Sequence, residues 1–233
     1  MFNILNRLAG GAQTGAGKLI VSIFFALSSI TFSAQANLVT NGSFDDIGSI
    51  GGHLASGTGN LPGWTIGQGL VDGYTFLATP GSAGIDVTEP TDLPGIPVSV
   101  LSLWDSNTNG GLNPIPDTSP EGGNFIVSDA VFRMVSIYQT ISGLEVGEQY
   151  RLSFYQAAGQ QSGYFGDSQE QWQVSWGGAL TTVSEITLPN GQIYNGFTEV
   201  ISGGAIEFSD LMDTPSMGFH NWERQEIIFT ATG

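Results

Sequence analysis

The chain has 233 residues, with 21 acidic and 5 basic side chains, 2 histidines and no cysteine. The absence of cysteine excludes a disulfide scaffold, a thiolate metal site and a cysteine nucleophile. A formal net charge of −16 argues against nucleic-acid binding, which needs clustered Lys and Arg, and against docking on anionic lipid. Only 11% of the residues are charged and aromatic residues are frequent, so the composition favours strands over helices.

Residues 1–36 have the layout of a secretory signal peptide, with a basic start, an apolar stretch over 19–32 and small residues before a cleavage site at Ala36. The apolar stretch is shorter than the roughly 20 residues that a membrane-spanning helix needs. We therefore expect export, with the remaining chain secreted, extracellular or at the cell surface and without a stable membrane span.

Residues 37–233 are expected to form a single domain, and their first half differs in composition from their second. Residues 46–123 hold 8 of the 10 prolines and 16 glycines, which predicts turns and long loops between short strands, among them 70–77 and 98–104. From residue 124 onward, apolar and polar residues alternate with a period of two, and no helical stripe is sustained. Short strands at even spacing predict an all-β fold, an antiparallel β-sandwich or jelly roll.

Two details support this fold class. In residues 149–155, Tyr150, Leu152 and Phe154 share one strand face and are expected to point into the core. The connection 143–150 resembles a tyrosine corner, in which the tyrosine hydroxyl binds the backbone a few residues upstream. The alternative is an ordinary loop in which Tyr150 is only a core residue.

Several short motifs together resemble a known family. Residues 37–45 (Asn-Leu-Val-Thr-Asn-Gly-Ser-Phe-Asp), followed by Gly63-Trp64, resemble the opening of carbohydrate-binding-module-like jelly rolls with a galactose-binding-like fold. The resemblance continues through residues 119–125, 139–144, 147–154, 157–161 and 171–177. In order and spacing, these motifs are similar to exported bacterial proteins of the PEP-CTERM type.

The resemblance implies an association with exopolysaccharide and biofilm matrix, and processing by an exosortase-type membrane protease. It also implies further strands and a sorting tail after residues 221–233, where this sequence stops. We expect that the chain lacks its final strands and is a fragment. The alternative is a shortened copy that is simply released.

Two sites are candidates for Ca²⁺. Asp105, Asn107 and Asn109, followed by Gly110, match the first half of a D-x-N-x-N-G calcium loop, in which alternate side-chain oxygens converge on the ion. The acid expected at the twelfth position is missing, and an Asx-rich surface turn is the alternative. The family resemblance implies a second, structural calcium at Asp45.

Polysaccharide binding would combine aromatic faces with planar polar side chains. The candidates are Trp104, Arg151, Tyr155, Gln171 and Gln173, with the two glutamines on a strand next to that of Arg151 and Tyr155. Trp172 and Trp176 alternate with them and, with Val174 between, are expected to face the core. Other loop aromatics that could serve as platforms are Trp64, Tyr74 and Tyr164.

Catalysis is poorly supported, because His53 and His220 are far apart in the sequence and neither lies in a recognised catalytic motif. We expect a non-catalytic matrix or cell-surface protein that binds polysaccharide and carries a structural calcium. The alternatives are a purely structural or adhesive spacer and, less favoured, a carbohydrate-active enzyme that uses a pair of carboxylates.

Overall fold

The structure is a computed structural model of the chain. It describes residues 2–4, 37–47, 52–54, 57–58, 61–67, 75–78, 87–88, 100–116, 118–128, 135–187, 191 and 193–232. The strands are β1 (Phe2–Ile4), β2 (Gly52–His53), β3 (Gly57–Thr58), β4 (Thr65–Ile66), β5 (Thr75–Ala78), β6 (Val87–Thr88), β7 (Val100–Leu101), β8 (Phe125–Ser128), β9 (Ile137–Tyr138), β10 (Gln149–Gly159), β11 (Ser168–Glu170), β12 (Gln173–Trp176), β13 (Ala179–Thr187), β14 (Ile193–Ser202), β15 (Ala205–Phe208), β16 (Met212–Thr214) and β17 (Phe219–Thr230).

The described residues contain strands, turns and loops but no helix, and every strand pair is antiparallel. This confirms the prediction of an all-β antiparallel protein. The strands form small sheets of two or three members, in the orders β1-β10-β17, β2-β5-β8, β3-β4-β9, β6-β7, β11-β16, β12-β15 and β13-β14.

The two longest strands, β10 and β17, pair along almost their whole length and organise the main core. Their alternation places Leu152, Phe154, Ile227 and Phe229 in the main hydrophobic cluster, as the period-two pattern predicts. The predicted core face of β12 is confirmed as well, because Trp172, Val174 and Trp176 all pack against this cluster.

A second cluster lies where the glycine- and proline-rich half of the chain meets the start of β17. Its buried members are Phe76, Ala78, Leu103, Ile115, Phe125 and Phe219. The strand predicted over 98–104 is shorter than expected. Within its described part, only Val100–Leu101 is a strand, and Leu103 makes a single bridge to Gln161. Of the strand predicted over 70–77, residues 70–74 lie outside the described residues.

The hairpin of residues 173–208 is interrupted by glycine pairs on both strands. Trp176 pairs with Ala205 and Ala179 pairs with Ser202, so Gly177-Gly178 stand opposite Gly203-Gly204 in one continuous register. Gly178 has φ +75°, and a Cβ added there would lie 2.4 Å from the carbonyl oxygen of Ser202. The backbones of the two strands therefore approach more closely at this joint than residues with side chains would allow.

Of the predicted signal segment, residues 2–4 form β1, which pairs with Leu152–Phe154 of β10. The remainder, including the cleavage site at Ala36, lies outside the described residues. Within the ranges described above, no helix has the length and hydropathy required to cross a bilayer.

Candidate functional site

The opening segment that carries the family resemblance is a tightly bonded turn. The side-chain amide of Asn41 donates to the carbonyl oxygens of Asp46 (2.9 Å) and Pro62 (2.8 Å), and its oxygen accepts from the Asp46 amide at 3.0 Å. The indole nitrogen of Trp64 donates to the Asn41 carbonyl at 3.0 Å. Asn41 adopts φ +49°, a left-handed conformation that Asn tolerates better than most residues.

Asp45 lies beside the loop that precedes β8. Its Oδ1 accepts a hydrogen bond from the backbone amide of Asn124 at 3.0 Å, and the Asn124 side chain donates to the Phe44 carbonyl at 2.8 Å. Gly123 is packed so closely that an added Cβ would lie 2.7 Å from the Asp45 carboxylate. Asp45 therefore joins two segments that are distant in sequence, while the calcium expected here stays a prediction.

The Asp105 loop is held together by its own hydrogen bonds. Asp105 is fully buried. Its Oδ1 accepts from the amides of Asn107 (3.1 Å) and Ile115 (3.3 Å), and its Oδ2 accepts from the Thr108 hydroxyl (3.0 Å). The bond to Asn107 is the one that defines an Asx turn, as the alternative interpretation predicts, but the carboxylate is in the interior and not on the surface.

Asn109 completes this loop. Its side-chain oxygen accepts from the Asp105 amide at 2.8 Å, and its nitrogen donates to the Leu103 carbonyl at 2.7 Å. Among the described residues, no group of three or more His, Cys, Asp and Glu side chains converges on a point where a metal could bind. The Asp105 loop satisfies its buried carboxylate through donors of the chain itself, and Ca²⁺ binding by Asp105, Asn107 and Asn109 stays a prediction.

Arg151 and Tyr155 lie on the face of β10 opposite the main core. Glu226 of β17 accepts from Arg151 at 3.3 Å and from Arg224 at 2.9 Å, while Tyr155 stands opposite Arg224 in the strand register. The hydrogen bond from Arg224, with that from Arg151, holds the pKa of Glu226 below its usual value. This face of β10 and β17 therefore carries a small cluster of charged groups.

The structure does not join Gln171 and Gln173 to this cluster through strand pairing. β10 pairs with β1 and β17, whereas β12, which begins at Gln173, pairs with β15. The Gln171 side chain donates to the Ser209 carbonyl at 2.7 Å, and Gln173 is exposed. The two glutamines are therefore not on a strand paired with that of Arg151 and Tyr155, and ligand binding by these residues stays a prediction.

Trp104, the remaining predicted ligand residue, is largely buried. Its indole nitrogen donates to the Tyr164 carbonyl at 2.8 Å, and its ring lies 5.5 Å from the ring of Phe165. Tyr164 and Phe165 are 65% and 69% exposed. The exposed rings next to Trp104 are therefore Tyr164 and Phe165, and the Phe165 ring packs against that of Trp104. Phe165 is not among the predicted residues, although two adjacent aromatics between Gly163 and Gly166 were a signal for it.

We call residues 162–167 the aromatic loop. Its beginning is fixed by the Ser162 amide, which donates to the Ser102 carbonyl at 2.7 Å. Its end is fixed at Gly166, whose carbonyl accepts from the Gln160 side chain at 2.6 Å and whose amide donates to the Ser216 hydroxyl at 2.9 Å. Asp167 accepts from the Ser216 amide at 2.9 Å. Bonds to two distant segments hold the loop, so its exposed rings are presented on an ordered backbone.

The turn at residues 215–218 is hydrogen-bonded both to Gln160, which also binds the aromatic loop, and to Leu112, an exposed apolar residue. The Met217 amide donates to the Gln160 side chain at 2.6 Å, and the Met217 carbonyl accepts from the amide of Leu112 at 2.7 Å. Leu112 is 64% exposed. The residues that follow Leu112 line a cavity of about 340 Å³. Its lining consists of Asn113, Pro114, Ile115, Pro116, Phe219 and Asn221.

Comparison with protein-family models, with curated proteins and with solved structures finds no significant match to this chain.

Proposed function

We propose that this protein is a non-catalytic polysaccharide-binding protein whose aromatic loop stacks on sugar rings. The observation that carries the proposal is the presentation of Tyr164 and Phe165, two adjacent and exposed aromatic side chains, on a backbone fixed by hydrogen bonds. Flat rings pack against the apolar C–H faces of sugars. A loop that is already ordered loses little conformational freedom when the ligand binds.

The surroundings of the aromatic loop favour a long polymer over a small molecule. Tyr164 and Phe165 are 65% and 69% exposed, so their rings lie on an open surface where a long chain of sugars can pass over them. The cavity that follows Leu112 is lined by Asn221, whose side-chain nitrogen can donate to a hydroxyl of an adjacent sugar unit, while the Asn113 side chain is already bonded to the backbone of Phe219. A net charge of −16 disfavours an anionic lipid surface as the alternative target of the exposed rings.

The finer description follows the family resemblance. We propose that the antiparallel strands have a jelly-roll, galactose-binding-like arrangement. We also propose that the protein is exported to a polysaccharide matrix and is processed by an exosortase-type protease. A structural Ca²⁺ would bind at Asp45 or in the Asp105 loop. The all-β antiparallel architecture is compatible with this description. The bonded turn at Asn41 gives the family-like opening motif a structural role that would explain why these residues occur together.

The test is a depletion assay against a panel of insoluble and gel-forming polysaccharides. We expect the wild-type protein to be retained on at least one polymer, and the Tyr164→Ala/Phe165→Ala double variant to lose at least tenfold in affinity. Leu211→Ala is the matched control, because Leu211 is a similarly exposed apolar residue outside the aromatic loop. Tyr155→Ala tests the outer face of β10, which we expect to contribute less.

The assay is run with Ca²⁺ and with EDTA, which separates the calcium proposal from the stacking proposal. Retention that is lost in EDTA while the protein stays folded supports a calcium-dependent site. If folded wild-type protein binds no polymer, or if the double variant binds as well as wild type, the aromatic loop is not a glycan site. A structural spacer then becomes the better account.

A further inference from the structure

The distal strands of the hairpin, β13 (Ala179–Thr187) and β14 (Ile193–Ser202), form a two-stranded ribbon that we call the arm. β13 and β14 pair with each other and, among the described residues, with no other strand. The glycine joint at Gly177-Gly178 and Gly203-Gly204 separates the arm from β12, which packs against the main core, and from its partner β15. One edge of each arm strand is therefore without a strand partner in the described structure, and such an edge can accept a strand from another chain.

The two edges are not equivalent, because a bulge lies in β14. Val183 pairs with Thr198 and Glu185 pairs with Asn195, so β14 advances three residues where β13 advances two. A bulge bends the strand that contains it and disrupts its ladder of hydrogen bonds. β13 is the regular strand, and its edge is the better template for pairing.

β13 has few of the features that usually protect an edge strand, since Glu185 is its only charged residue. Its sequence, Ala-Leu-Thr-Thr-Val-Ser-Glu-Ile-Thr, contains three threonines, a valine and an isoleucine, and it has no Lys or Pro. Ala179, Leu180, Thr182 and Ser184 are exposed, so no other described part of the chain covers these positions of the strand. Such a strand is a ready partner for a second β-strand.

Charge argues that the partner is a second copy of this chain. With 21 acidic and 5 basic residues, most contacts between two copies would bring like charges together. The arm is the exception, because Glu185 and Glu199 are its only charged residues. Two copies can therefore approach through their arms with little electrostatic penalty.

We propose that the β13 edge is a self-association surface, on which two copies pair antiparallel to form a four-stranded sheet in the order β14-β13-β13-β14. Antiparallel pairing of a strand with itself has a two-fold axis, as closed dimers do. With the axis at Val183, the middle of β13, Thr181 lies opposite Glu185 of the second copy. The two glutamates then do not face each other. An edge of nine residues is smaller than a standard interface, so the dimer should form only at high local concentration.

Cysteine cross-linking tests this register cleanly, because the chain has no cysteine of its own. Val183→Cys in the full chain places one thiol at the proposed axis. Gln169→Cys is the matched control, on an exposed position of β11 outside the arm. Under mild oxidation, we expect at least a fivefold higher yield of cross-linked dimer for Val183→Cys than for Gln169→Cys. Cross-strand pairs bring Cβ atoms to about 4.5–5.5 Å, close to disulfide distance.

A second measurement tests the pairing without cross-linking. Sedimentation of the wild-type chain over a concentration series should show a reversible monomer–dimer equilibrium. Val183→Glu, which places two carboxylates at the axis, should weaken dimerisation at least tenfold, while Val183→Thr should leave it within about threefold, since Thr keeps a high strand propensity. Equal cross-linking at residues 183 and 169, or a wild-type chain that stays monomeric at every concentration, would overturn the proposal.

Discussion

The hydroxyl oxygen of Tyr150 accepts a hydrogen bond from the backbone amide of Glu145 at 2.9 Å. Glu145 lies five residues upstream, in the connection before β10, so the bond has the form of the predicted tyrosine corner. The Tyr150 ring also stacks on Phe229 of β17 at 5.9 Å between ring centroids. One side chain therefore ties the start of β10 both to its preceding loop and to the neighbouring strand.

Replacing Tyr150 with Phe should lower the free energy of unfolding by about 1 kcal/mol, because it removes this hydrogen bond and keeps the ring stacking. Urea denaturation followed by tryptophan fluorescence measures the change. Tyr155→Phe is the control, since Tyr155 lies on the opposite face of the same strand, and we expect a smaller effect. Equal losses for the two variants would show that the corner makes no special contribution.

The core-facing residues of the alternating strands were predictable from the sequence. In any β-strand, successive side chains point to opposite faces, whichever strand it pairs with. Leu152, Phe154, Ile227 and Phe229 follow this rule, and so does the core position of Trp176. The tyrosine corner was predictable for a similar reason, since its geometry depends on a short and local spacing.

The Asp105 loop could be predicted only in part. The spacing of Asp105, Asn107 and Asn109 indicated an Asx turn or a calcium loop, but the burial of Asp105 depends on donors such as the Ile115 amide, ten residues away. The positions of Trp104 and Phe165 were not predictable either. Which of two contacting aromatic rings is covered depends on packing between segments about 60 residues apart.

Asn41 should be among the most sensitive positions outside the core, because it combines three side-chain hydrogen bonds with a positive φ. Asn41→Gly retains the backbone conformation but loses the bonds, and we expect a loss of about 2–3 kcal/mol in unfolding free energy. Asn41→Ala should lose about 1 kcal/mol more, from strain in the left-handed region. Chemical denaturation of both variants separates the two contributions. If Asn41→Gly is as stable as wild type, the turn does not depend on these bonds.

Replacing Asp105 with Ala should destabilise the protein much more than replacing it with Asn. Asp105→Ala leaves the buried amide of Ile115 without its acceptor, and we expect a loss of about 3–4 kcal/mol. Asp105→Asn keeps one acceptor oxygen and can donate to the Thr108 hydroxyl, so its loss should be about half as large.

Thermal unfolding in Ca²⁺ and in EDTA tests the calcium prediction with the same proteins. A calcium-induced rise in Tm that is present in wild type and absent in Asp105→Asn would place the ion in this loop.

His220 should make stability depend on pH near neutrality. Its hydrogen bond to Glu223, followed by that to the Asp213 carbonyl, raises the pKa of the imidazole above 6.5. Because the folded pKa lies above the unfolded one, the native state favours the protonated form. The resulting stabilisation is fully present below about pH 6.5 and is lost as the pH rises through the folded pKa.

An NMR titration of the His220 ring protons measures this directly. We expect a pKa above 6.5 in wild type and a shift back toward 6.5 in Glu223→Gln, which keeps the hydrogen-bond geometry but removes the charge. His220→Gln should make stability less dependent on pH above 6.5 and leave the acid unfolding of the carboxylates unchanged. A wild-type pKa at or below 6.5 would contradict the favourable pairing with Glu223. Above about pH 6.5 the ring would then be mainly neutral in the folded protein, and its bond to Glu223 would be an ordinary hydrogen bond without an ionic contribution.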